Sequence, residues 1–107
     1  MTVQNKLYEL DQVSVVLIAA IPPRVLDAIN NYVWYAQPTG DFVKAVLSND
    51  LMGAVRRADD RSQTAMQSIC EYIMWSVPSV CYGTREKVRA HLAIGRRIME
   101  AEQCQKR

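Results

Sequence analysis

Apolar and polar positions follow a helical period along most of the chain. From Arg24 to Ala36 the apolar residues Val25, Leu26, Ile29, Tyr32, Val33 and Ala36 recur at i, i+3, i+4 and i+7, with Asp27 and Asn30 between them. That spacing predicts an amphipathic helix. Pro23 suits its first turn, where a missing N–H costs no hydrogen bond, and Gln37-Pro38-Thr39-Gly40 carries turn chemistry at its end. A short helix should follow, capped by Thr39 or Asp41, with Phe42, Val43, Val46 and Leu47 as its apolar side. Ser48-Asn49-Asp50 is a second capping signal and opens a helix through Leu51, Met52, Val55 and Ala58, with Arg56 and Arg57 outside. Asp59-Asp60 begins a fourth, striped by Ala65, Met66, Ile69, Cys70, Ile73 and Val77. Pro78 and Gly83 bracket a loop, after which Thr84 caps a last helix reaching about Gln103. Val88, Leu92, Ile98 and Met99 are its expected inward residues, and Gly95 marks either a bend or a close contact.

The N-terminal part gives weaker signals. Residues 1–12 read as a polar, poorly ordered lead-in. Residues 13–21 are an apolar run that fits a strand or a helix equally, because short runs carry no decisive period. Pro22-Pro23 ends whichever it is. The expected fold is all-α: a compact bundle of four to five helices, two of them short, preceded by this ambiguous segment.

Length and composition narrow the classes. At 107 residues the chain should be a single domain, and 50% hydrophobic with 22% charged residues is globular rather than disordered composition. The net charge is +2 but uneven: residues 1–60 carry five basic and seven acidic side chains, residues 61–107 eight and four. Three cysteines without a CxxC, Cys70, Cys81 and Cys104, do not describe a disulfide framework and read as reduced thiols. The nine residues 13–21 are too few for a bilayer, which needs about 20, and Glu9 and Asp11 stand where a signal peptide carries basic residues. A cytoplasmic protein with no membrane contact is the expectation.

The run from Gly40 to Asp59, GDFVKAVLSNDLMGAVRRAD, resembles a family of small phage and prophage proteins of unassigned function. Its members look like G-x-F-x-x-A-V-L-x-N-D-L-x-x-A-x-x-x-A-D. Tyr32 to Gly40 matches their upstream helix and turn, and Pro78, Cys81, Tyr82 and Gly83 match a downstream proline followed by Cys-aromatic-Gly. The likeness covers roughly 22–94. Tyr82 departs from the family's Trp and Ser62 from its frequent Asn, while the apolar segment before Pro22 and the basic tail after Ile94 look like additions. The resemblance implies a phage or prophage origin and supplies no catalytic residue.

Several side chains invite a chemical reading. Asn49-Asp50 with Asp59-Asp60 could collect a divalent cation, but capping of two helix starts explains the same residues without EF-hand spacing. His91, the single histidine, could meet Cys81 as base and nucleophile, with Arg85 and a helix N-terminus lowering the thiol pKa. The blander expectation is an exposed helix histidine and no catalysis. No metal or cofactor is implied.

Large aromatics off the helical stripes suit protein–protein contacts better. Trp34, Tyr35 and Trp75 are the expected partner-binding residues, supported by Arg56 and Arg57. The expected function is therefore that of a phage accessory protein that binds and modulates a host protein, with segment 13–21 suited to homodimerisation. The alternative is nucleic-acid binding through Arg85, Arg89, Arg96 and Arg97 on the basic last helix.

Overall fold

The computed structural model describes residues 6–105, and every regular element among them is helical. The order is α1 (Val15–Ala19), α2 (Pro23–Tyr35), α3 (Asp41–Leu47), α4 (Leu51–Arg57), α5 (Asp60–Thr64), α6 (Met66–Ser76), a 3-10 turn (Ser79–Cys81) and α7 (Arg85–Gln105). Residues 1–5, 106 and 107 of the expected lead-in and tail lie outside the described residues. No helix among the described residues is long and apolar enough to cross a membrane.

Local chemistry accounts for most boundaries. Ser14 caps α1, accepting from Val16 N at 3.2 Å, so the ambiguous apolar run resolves as one helical turn. Pro23 starts α2, and Ala36 ends it in the left-handed region at φ 53°. Asp50 caps α4 through Gly53 N, Asp59 caps α5 through Ser62 N, and Thr84 Oγ1 accepts from Lys87 N in the first turn of α7. Asn49, at φ 62°, makes the tight turn between α3 and α4, a conformation its short polar side chain tolerates.

Four expectations are corrected. Neither Thr39 nor Asp41 caps α3; extended Gly40 precedes it and gives no side-chain bond. The fourth expected helix is two, because Ala65 (φ −92°, ψ 7°) interrupts the run between α5 and α6. On α4, Gly53 and Ala54 are buried while Leu51, Met52 and Val55 face outward. The side chains of Asp50 and Arg57 lie over Gly53, Ala54 shares the lining of a hollow with Val46 of α3, and the bulky residues are left outside. On α7 the inward stripe is Val88, His91, half-buried Leu92 and Gly95, and Ile98 is 40% exposed.

The core is built between α2 and α6. Ile29, Tyr32 and Val33 of α2 and Ile69 of α6 are at most 1% exposed, joined by Leu47, Cys81 and Val88 from flanking elements. Two tyrosine hydroxyls pin it across long sequence distances: Tyr72 donates to Asn30 Oδ1 on α2, and Tyr32 donates to the Cys81 carbonyl at 2.7 Å. Residues 6–12 run across the molecule as a strap. Leu7 N donates to Trp34 O at 2.7 Å, Asp11 N donates to Ser76 O at 3.0 Å, and Ser76 Oγ returns a bond to Asp11 O at 2.7 Å. Tyr8 and Leu10 pack on the core from the same segment.

Of the two roles open to Gly95, the structure shows close contact. A Cβ there would run into the Ala36 methyl and approach the Ala36 carbonyl oxygen at 3.0 Å. Gly95→Ala should therefore lose about 1–2 kcal/mol, overpacking outweighing the ~1 kcal/mol that Ala gains in helix propensity. Ala36→Gly in the same chain removes the methyl and relaxes the left-handed residue, and should restore most of that loss. Urea midpoints of the two single variants and the double variant check this, and simple additivity would refute the contact.

Candidate functional site

The residues singled out by sequence fall into two regions. Trp34 and Tyr35 end α2 with their rings 6.2 Å apart, edge to face, and both are half-buried. The strap covers this end: Lys6 Nζ sits 4.3 Å above the Trp34 ring, a cation–π arrangement. Trp75, near the end of α6, is 68% exposed and follows Met74 at 61%. The strap touches both places, bonding to the backbone of Trp34 and of Ser76.

Large apolar side chains are also exposed on α4. Leu51 and Met52 of α4 are 61% and 76% exposed. A shallow hollow between the helices, lined by Leu51, Ala54, Met66 and Cys70, continues from α4 to α6. Met66, Cys70 and Met74 stand at i, i+4 and i+8, so they form one row along α6 that leads from the hollow to exposed Met74, whereas Trp75 stands on the side of the helix away from Met66. Arg56 follows Met52 by one turn and edges the surface. The helical stripe obscured this surface: Leu51, Met52 and Met66 fit an inward face by spacing, and only the burial of Gly53 and Ala54 turns α4 around.

The arginines regroup. Arg57, read as a companion of the tryptophans, lines a groove of about 290 Å³ with Arg85 and Arg89 from the other set. Lys44 of α3, which no sequence signal marked, joins them, together with Asp41, Ala45, Ser48 and Asp50. Arg96 and Arg97 are exposed farther along α7 and do not line the groove. Arg57 is anchored by its own helix, Nη1 donating to Gly53 O at 3.3 Å.

The Cys81–His91 pair meets, but in the interior. Sγ lies 3.8 Å from Nδ1, with Cys81 at 0% and His91 at 3% exposure, so the expectation of an exposed histidine is corrected. Nε2 faces the Tyr32 carbonyl, which can only accept, so the ring proton sits on Nε2 and Nδ1 faces the thiol. Burial pushes the thiol up to about 11 rather than down. Burial also lowers the imidazole pKa, the hydrogen bond to Tyr32 opposing it. The Tyr32 hydroxyl is shifted upward by burial and by neighbouring Cys81. A buried thiol with a raised pKa lacks the lowered pKa and exposure that mark an activated cysteine.

Asp50 and Asp59 act as the caps described above, and no group of three or more His, Cys, Asp or Glu among the described residues could hold a metal ion. The bond from Ser62 lowers the Asp59 carboxyl pKa, as expected for a cap. No family model matches the chain, and no curated protein or solved structure matches it either.

Proposed function

We propose that this chain is a binding module, encoded by a phage or prophage, that acts by engaging a bacterial host protein in the cytoplasm. The observation that carries the reading is the exposure of large apolar side chains on α4 and α6, where Leu51, Met52, Met74 and Trp75 are each more than 60% exposed. A single exposed apolar side chain is ordinary on a protein surface, but a tryptophan with pliable methionines and a leucine exposed on two helices is the composition of contact residues. Trp75 is the anchor of this reading and Arg56 its polar margin. The phage origin rests on the resemblance of residues 40–59. Val15 and Val16 on α1, about 80% exposed, are a separate surface suited to self-association into a homodimer.

The test is affinity capture from bacterial lysate with wild type and Trp75→Ala, each with and without nuclease. A partner recovered in equal amount and unaffected by nuclease is expected with wild type. Trp75→Ala should weaken its binding about thirtyfold or more, the scale of an aromatic hot spot. Recovery that disappears on nuclease treatment would replace this reading with nucleic-acid binding through α7. Unchanged capture by Trp75→Ala would remove the α4–α6 surface from consideration.

A further inference from the structure

The groove between α3, α4 and the start of α7 gathers cations that are distant in sequence. Lys44, Arg57, Arg85 and Arg89 share it with two carboxylates, Asp41 and Asp50, which leaves an excess of two positive charges among its lining side chains. Both carboxylates stand at helix starts. Asp50 Oδ1 accepts from Gly53 N at 3.1 Å, and Asp41 occupies the first turn of α3. Their charge is partly answered by the backbone N–H groups there. The 21-residue helix α7 adds its own N-terminus beside Arg85, its first residue. Arg57 is held at the rim by its bond to Gly53 O, so one fork of donors is already oriented.

Such a set fits a compact, multiply charged oxyanion. Arginine forks pair with phosphoryl oxygens two at a time, and Lys44 adds a point charge to the same lining. A volume of about 290 Å³ lies at the small end of ligand sites. No aromatic side chain lines the groove, so it offers no face on which a base could stack. That disfavours a nucleic-acid strand as its occupant. We infer that the groove lined by Lys44, Arg57, Arg85 and Arg89 binds the diphosphate group of a small phosphorylated solute. The group can come from free pyrophosphate or from the end of a nucleoside diphosphate. This inference is independent of the apolar surface on α4 and α6.

The test is an amide NMR titration of the full chain with inorganic pyrophosphate, then ADP, then a single-stranded oligonucleotide. Saturable shifts confined to 41–57 and 84–90 are expected with pyrophosphate. Arg89→Gln and Lys44→Gln, both at exposed positions, should each weaken binding about tenfold. Arg97→Gln, outside the groove, should leave it unchanged. ADP matching pyrophosphate assigns the site to any diphosphate end, and pyrophosphate binding alone assigns it to the free anion; both outcomes support the inference. Three results would overturn it: no saturation with pyrophosphate, equal weakening by Arg97→Gln and Arg89→Gln, or oligonucleotide binding whose shifts extend along Arg96 and Arg97 while pyrophosphate gives none. Thermal melts of each variant show that loss of binding is not loss of fold.

Discussion

Replacing Tyr32 with alanine should remove about 3–5 kcal/mol of stability, the largest loss expected from any single substitution considered for this protein. Tyr32 is fully buried among Ile29, Val33 and Leu47, and its ring meets the His91 ring edge to face at 4.5 Å. Truncation leaves a cavity at the point where α2, α7 and the 3-10 turn converge. Against a total stability of about 5–15 kcal/mol for a domain of this kind, such a loss threatens folding at growth temperature. Tyr32→Phe isolates the hydroxyl. It keeps the ring but strips the Cys81 carbonyl of the 2.7 Å bond it accepts, and should cost about 1–3 kcal/mol. Urea denaturation of both variants orders the two contributions. A Phe variant as stable as wild type would mean that the Cys81 carbonyl finds another donor.

The second effect is on acidification. His91 is buried and neutral, with a thiol, a carbonyl and the rings of Tyr8 and Tyr32 around it. Burial lowers its pKa below the ordinary 6.5. Between that lowered value and 6.5 the unfolded chain binds a proton that the folded chain refuses, so stability rises with pH across that window. The contribution is complete above pH 6.5 and is lost as pH falls below it. The melting temperature should therefore drop on going from neutral towards pH 5, and His91→Leu should flatten that slope while keeping the fold. Asp59 acts in a separate, more acidic window. Its lowered carboxyl pKa stabilises the fold above the ordinary carboxylate value and loses that contribution only as pH falls below it. An unchanged slope in His91→Leu would assign the acid sensitivity to carboxylates instead.

Helix content was legible because period and caps agreed: Asp50, Asp59 and Thr84 each mark a start that the backbone uses. The errors share a cause. Apolar spacing marks Leu51, Met52 and Val55 as the inward side of α4, whereas these residues face outward. On α4 the buried residues are Gly53 and Ala54, and the large side chains face outward. The same spacing hid the true stripe of α7. Val88, His91, Leu92 and Gly95 have perfectly helical spacing, but a histidine and a glycine carry no hydropathy signal. Ala65 lacks any breaker chemistry of its own, so no residue type marks the interruption there.

The candidate sites were legible as residue types and illegible as groupings. An exposed tryptophan was foreseeable at 75, off its stripe, but not at 34, where the strap intervenes. Arg57, Arg85 and Arg89 were each visible as surface arginines. Their convergence with Lys44 depends on how α3, α4 and α7 meet, and no local pattern records that.

The strap also sets an order of events during synthesis. Its acceptors lie far downstream: Leu7 waits for Trp34, and Asp11 waits for Ser76, 65 residues later. The Tyr32 hydroxyl likewise waits for Cys81, 49 residues on. Helices α2 to α4 can form as they leave the ribosome, from contacts local in sequence, but Tyr8, Leu10 and the inner face of α2 stay uncovered until α6 and α7 emerge. For most of translation the nascent chain therefore presents apolar side chains that the finished protein conceals, the kind of surface that chaperones cover.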